Sequence, residues 1–189
     1  MIAVALAGLI LACLGCALSV ALTLRVKQVL TGAQIQVPRG LDAQAGSAVP
    51  DDFGLTDLDG LPWRAPSTGG ESWLLAFMSL DCGGCKAQMP SYLRYLRQHS
   101  IPPQRAVTVL VGDNEVTRDA VPADLLRYTR VLPATEASPV VMDLKVSSWP
   151  TYLVVDGAGT VAYATQSVTR LAGVDPHHVV HSAPDSVPA

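Results

Sequence analysis

The order of apolar and polar positions divides the chain into distinct stretches. Ile2 to Leu24 is a run of 23 residues without Asp, Glu, Lys or Arg. As a helix it would reach about 34 Å, enough to cross a hydrocarbon core of about 30 Å with modest tilt. It is longer than the apolar core of a cleaved signal peptide, has no Lys or Arg ahead of it and meets no small-residue cleavage site. Residues 1–25 are therefore expected to form an uncleaved transmembrane anchor. From Val26 to Ser47 small and mixed residues with Pro38, Gly40 and Gly46 show no sustained period, which predicts a linker over 26–47. Pro50 to Gly60 (PDDFGLTDLDG) alternates up to an Asp-Gly turn, the pattern of a short hairpin.

A domain over 48–172 follows from the remaining pattern. Ser72 to Ser79 is continuously apolar and of strand length, as expected of a strand buried on both faces. Met89, Leu93 and Leu96, with Tyr92, recur at three and four residues and predict a helix from near Cys82 to about Gln98, with Pro90 as an internal kink. Pro102-Pro103 breaks the chain before a second buried strand, Arg105 to Val111, and Pro122 opens a short helix that ends near Arg130. Thr151 to Asp156 and Thr160 to Ala164 read as an antiparallel pair joined by Gly157-Ala158-Gly159. This succession predicts a mixed α/β domain built on one sheet. The pattern fades after Thr165, and residues 173–189 are expected to form a disordered tail.

Composition adds two exclusions and one question. The mean hydropathy of +0.31 owes its height to the first segment, and the rest is ordinary for a globular domain. A net charge of −3 without a Lys/Arg cluster lacks the electrostatic footprint of a nucleic-acid binder. The 4 cysteines are too few for a disulfide-stapled scaffold and fall as two pairs, Cys13/Cys16 and Cys82/Cys85. Cys13 and Cys16 lie inside the apolar run beside Gly8, Ala12 and Gly15, where they read as small packing residues, since a low dielectric disfavours a thiolate. The question concerns topology. Arg25, Lys27 and Arg39 follow the span with no acid until Asp42, and the charge rule alone places the domain in the cytoplasm.

The chemistry is concentrated in Leu80-Asp81-Cys82-Gly83-Gly84-Cys85-Lys86, between a buried strand and a helix start. Unpaired N–H groups and the helix dipole stabilise negative charge at Cys82. A thiolate there attacks a disulfide, and Cys85, one turn on, can attack the mixed disulfide and release the reduced partner. Gly83 and Gly84 leave the sulfurs unshielded and the loop conformationally free. Asp81 opposes thiolate formation and Lys86 favours it. A zinc site would need further ligands, which the soluble part does not supply at matching spacing. A Cu(I)-holding assembly factor or metallochaperone is the alternative reading of the pair, with His177, His178 and His181 as possible auxiliary ligands. A second element, Ser147-Ser148-Trp149-Pro150-Thr151-Tyr152, puts a proline directly before a strand. Pro150 either opens that strand in trans or, in cis, tucks the turn against the cysteines and leaves the Trp149 backbone open to a substrate peptide.

The hairpin PDDFGLTDLDG, the motif DCGGCK, Pro90 five residues after Cys85 and WPTYLVVDGAGTV together resemble the thioredoxin superfamily, most closely its membrane-anchored TlpA/ResA branch. FMSLDCGGCKAQMP is similar to MauD-type members, which also begin with an uncleaved anchor. The resemblance covers about Ala48 to Ala164. It implies a thioredoxin-like fold with a mixed central sheet, flanking helices and an N-terminal β-hairpin extension. It also implies Cys82 as attacking thiol, Cys85 as resolving thiol and Pro150 as a cis-proline beside them. No cofactor is implied beyond the Cys82–Cys85 disulfide. The expected partners are disulfide-bearing exported proteins and a membrane electron donor, with the domain on the extracytoplasmic side of the cell membrane. Departures from the family pattern, Asp81 for Trp, Gly84 for Pro and a bulky Trp149 before the proline, bear on redox potential and substrate choice.

Overall fold

The long apolar runs become the middle of a five-stranded sheet. β1 (Trp73–Ser79) is buried at every position but its last, and β2 (Ala106–Val111) and β4 (Thr151–Val155) are buried throughout. Burial on both faces is why these segments do not alternate in sequence. With β3 (Arg130–Ala134) and β5 (Val161–Thr165) the order is β3-β2-β1-β4-β5. β1, β2 and β3 run parallel, while β4 is antiparallel to β1 and to β5. The computed structural model describes residues 45–66, 70–112 and 116–177. The expected anchor over 1–25 lies outside them, as do most of the linker and residues 178–189. Among the described residues no helix is long and apolar enough to cross a membrane.

Two apolar layers hold the sheet. On one face Leu75, Phe77, Val109 and Leu153 pack under the segment before β1 and under α3 (Pro139–Asp143). Phe53 and Trp63 stack there with ring centroids 3.8 Å apart, and Trp63 reaches Trp73 at 5.9 Å. On the other face Leu74, Ala76, Met78 and Val154 meet α1 (Gly83–Gln98), α2 (Ala123–Tyr128) and α4 (Val168–Leu171). Each wholly buried Leu or Phe contributes about 1.5–3 kcal/mol relative to exposure, so both layers are needed. α1 buries Cys85, Tyr92, Leu93, Tyr95 and Leu96 and runs through Pro90 without ending. Gly157 follows from packing as well as from its turn: a Cβ there would lie 2.1 Å from the Gly70 carbonyl oxygen.

Several expectations are corrected. The predicted hairpin closes its turn, with Asp57 N–H donating to Leu61 O at 2.9 Å and Trp63 N–H to Leu55 O at 2.9 Å. Its arms form only the isolated bridge Thr56–Pro62 rather than strands, because Pro62 has no N–H with which to extend a ladder. Gly46 and Ser47, placed in the linker, pair with Val161 instead. The helix expected to run to Arg130 ends at Tyr128, and Arg130 begins the unpredicted edge strand β3. β3 contains Pro133, which its edge position tolerates. Residues after 172 do not leave the domain at once: Tyr95 Oη donates to Val174 O at 3.0 Å, and Ser72 Oγ reaches Pro176 O.

Candidate active site

Cys82 stands in extended conformation as the N-cap of α1, separated from the end of β1 by Leu80 and Asp81. Its Sγ accepts a hydrogen bond from Cys85 N–H at 3.2 Å. A sulfur thus occupies the place usually held by a capping oxygen, where an orphan donor and the positive end of the helix dipole favour negative charge. The first turn of α1 contains no acid. The Cys82 thiol also donates to Trp149 O at 3.4 Å. Cys85 lies one turn deeper and fully buried, with its Sγ accepting from Ser79 N–H at 3.5 Å. Burial, followed by its contact with Cys82, pushes the Cys85 thiol up to about 12. Both cysteines are free thiols. One half-exposed sulfur at a helix cap and one buried sulfur behind it form an asymmetric dithiol suited to sequential attack and resolution.

Of the residues singled out in the sequence, the fold brings five together: Cys82, Cys85, Gly84, Trp149 and Pro150. The Trp149–Pro150 peptide is cis. A Cβ at Gly84 would lie 3.7 Å from Cys82 Sγ and 3.9 Å from Pro150 Cδ, in ordinary contact with both. The Trp149 ring packs against both apolar layers, its centroid 6.4 Å from Phe77. Gly83 faces open space. Asp81 and Lys86 are exposed, where solvent and salt screen their opposite charges. Among the described residues no group of three His, Cys, Asp or Glu is arranged to hold a metal ion.

A hydrogen-bond chain not foreseen from the sequence ties the proline turn to α1. Gln88, one turn beyond Cys85, accepts from Val168 N–H at 2.8 Å and donates to Gln166 O at 3.3 Å. Gln166 Nε2 donates to Ser148 Oγ at 2.8 Å, and Thr151 Oγ1 donates to Ser148 O at 2.8 Å. These links fix the turn carrying Trp149 O opposite Cys82 Sγ. No local signal identifies Gln88 or Gln166, because 78 residues separate them along the chain.

No protein-family model matches the chain, and no curated protein matches it. Solved structures do. A thiol:disulfide interchange protein of the thioredoxin family from Chlorobium tepidum TLS superposes with a TM-score of 0.54 at 16% identity, covering 74% of this chain and 99% of that one. A thiol:disulfide interchange protein from Bacteroides sp. gives 0.55 at 18%, covering 69% and 86%. The thioredoxin domain of a thiol-disulfide oxidoreductase from Bacteroides vulgatus gives 0.51 at 19%, covering 62% and 85%. The chain therefore has a thioredoxin-like fold, with the Cys pair at the junction of β1 and α1.

Proposed function

We propose that the protein is a membrane-anchored thiol–disulfide oxidoreductase whose domain faces the extracytoplasmic side and reduces or reshuffles disulfides of exported proteins. One observation carries this reading: Cys82 Sγ sits at the N-cap of α1, held by Cys85 N–H at 3.2 Å, while Cys85 waits buried behind it. Cys82 is the attacking thiol. It forms a mixed disulfide with the substrate, and Cys85 resolves it, leaving the Cys82–Cys85 disulfide and a reduced substrate. Trp149 and Pro150 flank the attacking sulfur and offer the backbone edge along which an extended substrate segment is held. Turnover in an oxidising compartment requires a membrane electron donor to return the pair to the dithiol. The thioredoxin-like fold and the resemblance to anchored members of that superfamily support this assignment, as does the uncharged run Ile2–Leu24.

Storage of Cu(I) by the same pair is the second reading, and it too requires both thiols to lose their protons, which the burial of Cys85 opposes. The deciding assay is reduction of insulin by the full-length chain in detergent with dithiothreitol as donor. Cys82→Ser is expected to abolish turnover. Cys85→Ser is expected to stall as a mixed disulfide visible on a non-reducing gel. Retained activity in Cys82→Ser, or tight stoichiometric Cu(I) binding by a wild type without turnover, overturns the reading.

A further inference from the structure

Three hydroxyls lie inside the fold behind Cys85. Tyr92 Oη, Thr108 Oγ1 and Tyr152 Oη are buried; Tyr92 and Thr108 face each other closely enough to interact, whereas Tyr152 Oη has no partner within hydrogen-bond geometry among the described residues. An unpaired buried hydroxyl is destabilising, and an apolar residue of the same shape would avoid that cost. A buried phenol without a partner, set beside two further buried hydroxyls, therefore points to a use.

Strand register explains their convergence. Ala76 on β1 is paired with Thr108 on β2 and with Tyr152 on β4, so the three side chains stand in one row on one face of the sheet. Ala76 carries only a methyl group and leaves room above itself. α1 covers this face, and Tyr92 lies seven residues after Cys85 on the same side of the helix. Its ring centroid is 5.2 Å from that of Tyr152. Tyr152 is two residues beyond Pro150, whose ring is beside Gly84 and Cys82. Cys85, Tyr92 and Tyr152 pack in one buried layer.

We propose that Tyr152 donates a hydrogen bond to the Cys85 sulfur as that thiol gives up its proton, with Tyr92 and Thr108 completing the polar pocket above Ala76. This rests on the oxidoreductase reading. In the resolving step the Cys85 thiolate attacks Cys82 Sγ of the mixed disulfide. The Cys82–Cys85 bond forms and the bond from Cys82 to the substrate sulfur breaks. The substrate sulfur leaves with the electron pair and takes up one proton, equal to the one Cys85 released. The difficulty in this step is the Cys85 anion, since its Sγ is fully buried and the Ser79 N–H it accepts from is 3.5 Å away. The titratable groups facing it are Cys82 from the loop before α1, Tyr92 from α1 and Tyr152 from β4, while Asp81 and Lys86 lie outside and exposed. No carboxylate or ammonium group is among the first three. Burial, then the neighbouring Tyr92 and the two cysteines, raises the Tyr152 phenol, so it keeps its proton and remains a donor at any working pH.

Ellman's reagent resolves the two steps, since attack by Cys82 releases one thionitrobenzoate and resolution by Cys85 releases the second. The measurement uses full-length chain in detergent, with Cys13 and Cys16 replaced by Ala in every sample. Tyr152→Phe is expected to leave the first phase unchanged and slow the second about tenfold, the worth of a hydrogen bond to a charged acceptor. The second-phase pH profile should move to higher pH, with the melting temperature equal or higher. Tyr92→Phe should slow the second phase less. A second phase at the wild-type rate and pH profile in Tyr152→Phe overturns the inference, whereas a wild type that releases neither equivalent overturns the oxidoreductase reading instead.

Discussion

The two sulfurs of the pair differ because their surroundings do. Cys82 is held by the helix cap and borders solvent, while Cys85 is buried in the layer that also holds Met78 and Tyr152. The Cys85 thiol rises from near 9 to about 12, chiefly through burial. A raised folded-state value means that the folded form holds this proton more tightly than the unfolded chain. The stability so contributed is complete below about pH 9 and is lost as pH climbs toward 12. In urea titrations of reduced protein under argon, the stability gap between wild type and Cys85→Ala should narrow across that interval. A gap independent of pH would contradict the burial of the thiol. At this scale the reactive pair was legible in the sequence, since strand, Cys-x-x-Cys and helix are contiguous and the cap chemistry is local. Tyr152 was not, because its role depends on Ala76 and Cys85, which a sequence pattern does not place beside it.

Elements rich in local signal were found and those decided by neighbours were missed. β1, α1, β2, β4 and β5 lie within one or two residues of their expected limits, because a buried strand needs a continuous apolar run and a helix needs its three-four period. β3 was missed since its Pro133 is acceptable only at a sheet edge, and edge position is a property of the whole sheet. α4 is a single turn, Val168–Leu171, too short to show a period, yet it supplies the Val168 N–H that orients Gln88. The Gln88–Gln166–Ser148 chain gives α1 control over the proline turn. Gln166→Ala removes the bond to Ser148 Oγ and should raise the KM for insulin several-fold. The cost in stability should be only about 1 kcal/mol, that of one hydrogen bond, and the first-phase rate with Ellman's reagent should not change. Equal slowing with both substrates would show that the chain does more than hold the peptide-binding edge.

At the scale of the whole molecule, the proposed anchor makes the side of the membrane that the domain faces a testable property. Arg25, Lys27 and Arg39 favour the cytoplasm, whereas the proposed chemistry on exported proteins places the domain outside. A membrane-impermeant maleimide applied to intact cells is expected to label Cys82 before lysis, as its sulfur borders solvent. Labelling only after lysis would move the domain to the cytoplasm. The sequence by itself determined the uncharged N-terminal run, the α/β alternation and the Cys82/Cys85 pair at a strand–helix junction, since each depends on residues within a few positions of one another. Only the tertiary structure decided that Trp149 O faces Cys82 Sγ, that Gln88 and Gln166 hold it there, and that three buried hydroxyls meet above Ala76. Those juxtapositions arise where β4 inserts antiparallel beside β1. Strand pairing across some 75 residues is set by the packing of both sheet faces, and no local pattern encodes it.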